Sequence, residues 1–186
     1  LMTTSVNFAS FGLYLPKYNG SIFELMSAPI SAYEIVIGYA GAAASKSILI
    51  SILILLTSTI FVDFNIKHPL LMLLLLAITS ITFSLFGFII GIWATNFEKL
   101  QLIPLIIITP LVFLGGSFYS ISMLPELWQL ITKFNPIFYI INGFRWSFFG
   151  TSDIDLFTSL SLIIIFLFIC LAIIGLIFKT GYRIKG

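Results

Sequence analysis

The sequence predicts an all-α membrane protein, a bundle of spanning helices, and two observations support that prediction. Hydrophobic residues make up 60% of the 186 residues and charged residues only 9%, whereas a soluble domain carries about 25% charged residues. The apolar residues form long runs without the strict alternation of membrane β-barrel strands. Because every backbone amide in lipid must be satisfied internally, these runs are predicted to be helices.

The apolar runs predict the order of the helices. Residues 1–15 are too few for a spanning helix, which needs roughly 20, and they have neither the basic flank nor the cleavage site of a signal peptide. We expect them to be the later part of a helix whose beginning lies outside this sequence. Longer runs at about 37–62, 69–94, 102–116 and 157–178 are predicted to span.

Basic residues predict the orientation of the bundle. The tail from Lys179 to Lys185 is basic and contains no acid, which predicts a cytoplasmic C-terminus by the positive-inside rule. Successive crossings then place Lys17, Lys46 and Lys99 on the cytoplasmic side, and Lys67, Lys133 and Arg145 outside. Lys46, near the start of its run, is predicted to reach the headgroups by snorkelling rather than to form an ion site.

A short segment between the first two runs, residues 20–29, is called the elbow. Ser21 and Glu24 have capping-box spacing, which predicts a helix start, and Pro29 ends the helix after about two turns. A second capping box, Ser31 with Glu34, starts the next helix. The apolar residues of the elbow exceed what a loop helix exposes to water, and they indicate either a helix on the membrane surface or a docking surface for a soluble partner. They are Ile22, Phe23, Leu25 and Met26.

The region between the third and fourth long runs, called the external hairpin, contains two helices too short to span. Gly115-Gly116 is a poor place to continue a helix, and Pro125 suits the first turn of a new one. That helix has an apolar stripe of Leu124, Leu127, Trp128 and Ile131 opposite a polar face. Asn135-Pro136 then stops it. A second, aromatic-rich helix at 137–149 carries Arg145, which is either an interface anchor or a contact for an anionic headgroup.

No catalytic constellation is visible in the sequence. His68 is the only histidine and is predicted to be interfacial, and Asp153 and Asp155 are predicted to cap the last helix. Cys170 has no metal-ligand or disulfide partner. The absence of a Walker-type phosphate loop predicts no ATP hydrolysis by this chain, and the scattered net charge of +2 argues against nucleic acid binding.

One face of the first helix is polar. It carries Thr3, Asn7 and Ser10. Such faces mostly pack against other helices, and a lining role in a transport path is the alternative.

The elbow and the hairpin together resemble the ABC-2 permeases, and within that family the small inner-membrane permeases. The resemblance is carried by segments 20–31 and 34–38, and by Leu114-Gly-Gly-Ser-Phe-Tyr-Ser120, Leu124-Pro125, Trp128-Gln129, Asn135-Pro136, Tyr139 and Gly143-Phe144-Arg145. It implies a single ABC-2 transmembrane domain over 1–186, without the first helix and the start of the second, in a bundle of about six helices when complete.

The resemblance also implies roles for both segments. The elbow corresponds to the coupling helix that docks into an ATP-binding subunit, formed by Gly20, Ile22, Phe23, Glu24, Leu25, Met26 and Pro29. The hairpin corresponds to a re-entrant hairpin in the outer leaflet, with Gly115, Gly116, Pro125, Trp128, Asn135, Pro136, Tyr139 and Arg145.

The implied function is that of a non-catalytic permease subunit of an exporter in the bacterial inner membrane. The implied partners are an ABC ATPase subunit, a second permease copy in a homodimer, and membrane lipid. This chain is expected to hold no cofactor, since ATP and Mg would be bound by the partner ATPase. The alternative is a polytopic membrane protein outside this family, either a secondary transporter or a structural subunit, although the coupling charges and internal repeats of secondary transporters are not visible. The sequence does not indicate the substrate.

Overall fold

The computed structural model describes residues 1–27, 29–62 and 66–181, and within these ranges the regular structure is entirely helical, as predicted. The helices are α1 Met2–Asn19, α2 Ile22–Ser27, α3 Ala32–Ser58, α4 Pro69–Trp93, α5 Phe97–Leu114, α6 Glu126–Lys133, α7 Pro136–Phe149 and α8 Leu156–Thr180. By length and hydropathy, α3, α4, α5 and α8 can each cross a membrane. The four predicted long runs are therefore confirmed as helices.

Helix α3 begins at the capping box predicted at Ser31, a few residues before the apolar run predicted to span, which began at about residue 37. The capping box at Ser31 starts the helix earlier: the Ser31 hydroxyl accepts from the Glu34 amide, and the Glu34 carboxylate accepts from the Ser31 amide at 2.7 Å. As a result Lys46 lies near the middle of α3, about 20 Å from either end. The prediction that Lys46 sits near the cytoplasmic end of its helix was wrong.

Helix α5 also begins earlier than predicted, because Asn96 caps it by accepting from the Lys99 amide at 3.1 Å. Its middle widens into a π-helical turn at Pro104–Ile108, where the Thr109 amide donates to the Pro104 carbonyl. The widened turn ends just before Pro110, whose ring would press on the carbonyl one turn earlier in a regular helix.

Helix α4 is the centre of the bundle and packs against α1, α3, α7 and α8. Glycines make its contact with α1 close. A Cβ at Gly87 would lie 2.5 Å from the Val6 carbonyl oxygen, and a Cβ at Gly91 would lie 2.8 Å from the Ser10 carbonyl oxygen. Small residues of this kind let helix backbones approach in membrane proteins.

Helices α1 and α3 are joined by a hydrogen bond between two fully buried hydroxyls. The Ser5 hydroxyl donates to that of Ser47 at 2.7 Å.

In α8, Cys170 is 1% exposed, so it is a packing residue rather than a lipid-facing one.

The non-spanning segments lie at opposite ends of the bundle. The Lys17 ammonium, at the end of α1, donates to the carbonyls of Ile92 and Ala94 at the end of α4, at 2.6 and 3.2 Å. At the other end, the His68 amide donates to the Ser147 carbonyl at 3.0 Å. Lys17 and Lys99 therefore lie at one end of the bundle, and Lys67 and the hairpin lie at the other end, as the basic residues predicted. Which end is cytoplasmic stays a prediction, since residues 182–186 of the basic tail lie outside the described ranges.

Candidate functional site

The elbow contains a short helix that follows a sharp chain reversal at Gly20. Gly20 ends α1 in the left-handed region at φ 80°, a conformation that glycine adopts without steric cost. Helix α2 follows, and Pro29 and Ile30 are exposed before the capping box that starts α3. The Ser21 hydroxyl lies 3.5 Å from the Pro16 carbonyl of α1 and donates to it. The predicted short helix is confirmed at Ile22–Ser27, while the capping box expected between Ser21 and Glu24 stays a prediction.

The elbow is attached to the part of the bundle where several helices end. Lys17 hydrogen-bonds to the last carbonyls of α4, where a cation is favoured by the helix dipole. The ring of Phe97, at the start of α5, packs against the ring of Tyr14 in α1 with centroids 5.0 Å apart, and against Tyr18 at 5.8 Å. A force applied to the elbow would therefore reach α1, α3, α4 and α5 directly.

The side chains predicted to dock are only partly described. Ile22 is half-buried and Glu24 is exposed, as is Pro29. The side chains of Phe23, Leu25 and Met26 lie outside the described part of the structure. Their role therefore stays a prediction from the sequence.

At the opposite end, the hairpin is held by side chains that bond to its own backbone. The side-chain nitrogen of Asn135 donates to the Leu111 carbonyl of α5 at 2.6 Å, and its side-chain oxygen accepts from the Ile137 amide at 3.0 Å. One side chain therefore caps the last turn of α5 and the first turn of α7. The Tyr139 hydroxyl donates to the Lys133 carbonyl at 2.7 Å and closes α6 onto α7. Asn135-Pro136 is thus a joint between helices.

The glycines of the hairpin lie where side chains do not fit. Gly116 has φ 81°, and a Cβ there would lie 3.3 Å from the Tyr119 carbonyl oxygen. A Cβ at Gly115 would lie 2.9 Å from the Ile141 side chain and 2.9 Å from the Leu111 carbonyl. The chain can therefore reverse after α5 only with small residues at both positions.

Helix α7 lies inside the bundle rather than on its rim. The neighbours of Gly143 are Leu75 in α4 and Ser159 in α8, and Ile137, Phe138 and Ile140 are fully buried. Leu75 is about 9 Å along α4 from its start at Pro69. The hairpin thus reaches into the depth of the bundle, while the position of the membrane boundary on it stays a prediction.

Helix α6 presents its apolar stripe outward. Leu127 is 66% exposed, Trp128 47% and Ile131 44%. Pro125 stands at the N-cap, one position before α6, rather than in the first turn of the helix as predicted. An apolar face that the described residues do not cover suits contact with lipid or with another chain.

Arg145 has a partner that the sequence did not reveal. Its guanidinium forms an ion pair with Asp153 at 2.8 Å and donates to the carbonyls of Gly116 and Tyr119 at 2.6 and 3.1 Å. The Asp153 carboxylate also accepts from the Ser120 hydroxyl and from the Ile121 amide, and the Asp153 amide donates to the Asn142 side chain. Arg145 therefore joins the start of the hairpin to the loop before α8, while its predicted role at the membrane interface stays a prediction.

Only one of the two predicted helix-capping aspartates caps α8. The Asp155 carboxylate accepts from the Thr158 amide at 3.0 Å and from the Thr158 hydroxyl, and these bonds lower its pKa. Partial burial alone would raise the pKa of Asp153, but the hydrogen bonds from Ser120 and Ile121 and the charge of Arg145 outweigh it and leave that pKa below its usual value.

His68 stacks on Trp146, with ring centroids 4.3 Å apart.

Comparison with known proteins identifies this arrangement of helices. The family model described as ABC-2 type transporter matches residues 1–149, a range that contains both the elbow and the hairpin. The chain belongs to the ABC-2 type transporter family. The predicted resemblance is therefore confirmed, and the elbow and hairpin are parts of an ABC-2 membrane domain.

Individual relatives agree with the family. The chain is 36% identical to the inner membrane transport permease YadH of Escherichia coli K12 over 151 residues, which is 81% of this chain and 59% of YadH. It is 25% identical to nodulation protein J of Sinorhizobium fredii over 112 residues, 60% of this chain and 43% of that protein. The chain thus spans about three fifths of the YadH length. No solved structure matches it.

The described residues form no candidate metal site. Within those ranges, no group of three or more His, Cys, Asp or Glu side chains comes together that could hold a metal ion. The family is one of transport subunits, so the functional features to be explained are the elbow, the hairpin and the helix surfaces.

Proposed function

We propose that this chain is the membrane-spanning permease subunit of an ATP-binding cassette exporter in the bacterial inner membrane. It would move its substrate with energy from ATP hydrolysed on a separate subunit, which binds the ATP and Mg. Two permease copies would form a homodimer in the lipid bilayer. Membership of the ABC-2 family and the similarity to an inner membrane transport permease support this proposal.

The observation that carries the proposal is the construction of the elbow. A two-turn helix projects between Gly20 and Ser31 at the end of the bundle where α1, α3, α4 and α5 meet. A partner that binds this helix would act on four helices at once, through the chain connections to α1 and α3 and through Lys17 and Phe97. This is the mechanical connection that ATP-driven transport requires.

The elbow is proposed to fill a groove of the ATPase subunit with the apolar residues of α2. Burial of one Phe or Leu side chain contributes about 1.5–3 kcal/mol, so Phe23→Ala should weaken docking roughly ten- to a hundredfold. Phe23→Asp combined with Leu25→Asp should abolish docking. Glu24 would fix the helix start or pair with a basic residue of the partner.

The test is co-purification of the full-length permease with its ATPase, together with ATPase activity in proteoliposomes. A matched control places two aspartates at Ile60 and Phe61, which are 77% and 85% exposed at the opposite end of α3. The control should keep the complex, and the elbow variant should lose it while still inserting into the membrane. An elbow variant that co-purifies and stimulates hydrolysis normally would make the elbow a membrane-surface helix and contradict the proposal.

A further inference from the structure

Lys46 is a cation at mid-depth on the surface of the bundle. It is exposed near the middle of α3, and its ammonium lies 3.6 Å from the centroid of the Phe8 ring in α1. Both residues line a groove of about 620 Å³ between α1 and α3, together with Phe11, Gly38 and Tyr39. An ionisable side chain at this depth of a span is expensive to keep, which points to a use for its charge.

No acidic residue within the described ranges shares that depth. The chain has seven Asp and Glu residues, and the six within the described helices and loops lie in loops or in the first turns of helices: Glu24, Glu34, Glu98, Glu126, Asp153 and Asp155. The seventh, Asp63, comes after the end of α3 in the sequence. Glu34 lines the far end of the same groove, about 18 Å along α3 from Lys46, and its carboxylate accepts from the Ser31 amide and hydroxyl.

A second copy of the chain does not supply the missing anion. In a dimer whose two-fold axis runs along the membrane normal, equivalent residues lie at equal depth, so Lys46 would gain no carboxylate from its counterpart. Among the described residues and their symmetry mates, no carboxylate lies beside Lys46, and the groove leaves room for a bound anion.

The groove suits a molecule with an apolar body and one acidic group. Its volume lies within the range of small-molecule sites, and aromatic rings form much of its wall. A second groove of about 420 Å³ shares Phe8 and Phe11 and adds the polar side chains of Thr3, Thr4 and Asn7. The volume of the groove is enough for a single alkyl chain.

We infer that the groove between α1 and α3 binds a single-chain amphipathic anion, with its carboxylate or phosphate paired to Lys46 and its apolar body on Phe8, Phe11 and Tyr39. The binding site is supported by the groove and the charge of Lys46, and this support does not depend on the proposed function. That the bound molecule belongs to the class of transported substrates rests on the proposed function.

The probe is a photoactivatable fatty acid, compared with its uncharged methyl ester. The full-length permease is placed in phosphatidylcholine nanodiscs, irradiated with either probe, and the labelled residues are mapped by mass spectrometry. The acid should label α1 and α3, and the ester should label them about tenfold less, because it lacks the charge that pairs with Lys46. Lys46→Met should reduce labelling by the acid to the level of the ester, and Lys46→Arg should retain it.

Lys99→Met is the matched control. Lys99 is also a lysine beside an aromatic ring, 5.8 Å from the centroid of Trp93, but it lies in the first turn of α5 outside the groove. Its variant should label like the wild type. Equal labelling by acid and ester, no labelling of the wild type, or unchanged labelling of Lys46→Met would each overturn the site. Displacement of the probe by phosphatidylglycerol but not by palmitate would overturn the single-chain ligand.

Co-purification with the ATPase separates this inference from the proposed function. Lys46→Met should still elute as a folded protein and still bind the ATPase, because Lys46 lies far from the elbow. Loss of the label with retained ATPase binding supports the site. Normal labelling with an elbow that fails to dock would leave the site intact and contradict only the proposed function.

Discussion

The elbow and the external hairpin sit at opposite ends of the same helices, and they are held in different ways. The elbow is fixed at its two ends, by Gly20 and by the capping box at Ser31, and the helix between them projects. The hairpin is tied internally by Asn135, Arg145 and Asp153, and α7 is buried among α4 and α8. The difference is between a segment that projects from the bundle at one end, as the proposed docking of a partner requires, and a segment fixed in one conformation at the other.

The largest expected effect concerns the sidedness of the two ends. In a Cys170→Ser background, cysteines at Ser27 and Glu98 should be shielded from an impermeant thiol reagent in intact cells, and cysteines at Ser122 and Thr151 should be labelled. All four positions are exposed, so the expected result is all-or-none. Labelling at Ser27 and Glu98 alone would reverse the orientation and remove the basis for docking a cytoplasmic ATPase.

Replacement of Arg145 should destabilise the hairpin and leave the elbow unaffected. Arg145→Met removes an ion pair and two bonds to carbonyls and leaves the Asp153 carboxylate, whose side chain is only 17% exposed, without its cation. The hairpin should lose about 2 kcal/mol, as expected for hydrogen bonds to a charged group. Limited proteolysis between residues 115 and 155 would measure the loss.

The controls for Arg145 test whether the effect is local. Arg145→Lys keeps the charge but not the planar guanidinium, so the protease resistance of its hairpin should lie between that of the wild type and that of Arg145→Met. Binding of the ATPase at the elbow should be unchanged in both variants. Equal loss of ATPase binding would show that the two ends are not independently held.

A smaller effect is expected at the elbow from Ser31→Ala. This change removes the helix cap on the Glu34 amide, which costs about 1 kcal/mol. Hydrogen exchange at residues 32–35 should become faster while exchange in α7 stays the same. Unchanged exchange at the start of α3 would mean that the capping box does not fix the elbow.

The smallest effect is a response to acid at the hairpin. The pKa of Asp153 is lowered in the folded chain, so its contribution is fully present above the usual value of 3.8 and is lost as pH falls through the folded pKa. Protease resistance of the hairpin should be constant from about pH 7 to 5 and should fall only below about pH 4. Asp153→Asn should remove this acid step, and an identical acid response in that variant would contradict the assignment.

The sequence predicted the spanning helices well, because runs of apolar residues determine where a chain can cross a membrane. It also predicted the elbow, since the turn at Gly20, the capping box at Ser31 and Pro29 act locally. The capping box at Ser31 marked the start of α3 correctly, whereas the apolar run predicted to span began only at about residue 37, because hydropathy rises after Glu34. Measuring from the start of the apolar run rather than from the cap placed Lys46 near the end of the helix instead of its middle.

The contacts of the hairpin could not be predicted in the same way. Arg145 and Asp153 are brought together by the left-handed turn at Gly150, and the carbonyls of Gly116 and Tyr119 come from a distant part of the chain. The available signal was an arginine in an aromatic helix with an acid eight residues later.

The residues on the polar face of α1 lie in two different places. Thr3 and Asn7 line a groove, while Ser10 is buried beside Gly91 of α4.

The close approach of α1 and α4 has a consequence for natural variation. At Gly87 and Gly91 even a methyl group would meet the backbone of α1, so no flexible side chain can move aside to accept it. Gly41 and Gly175 face open space. Among homologous chains, we therefore expect the first pair to stay glycine through lineages in which the second pair drifts freely to alanine, serine or larger residues.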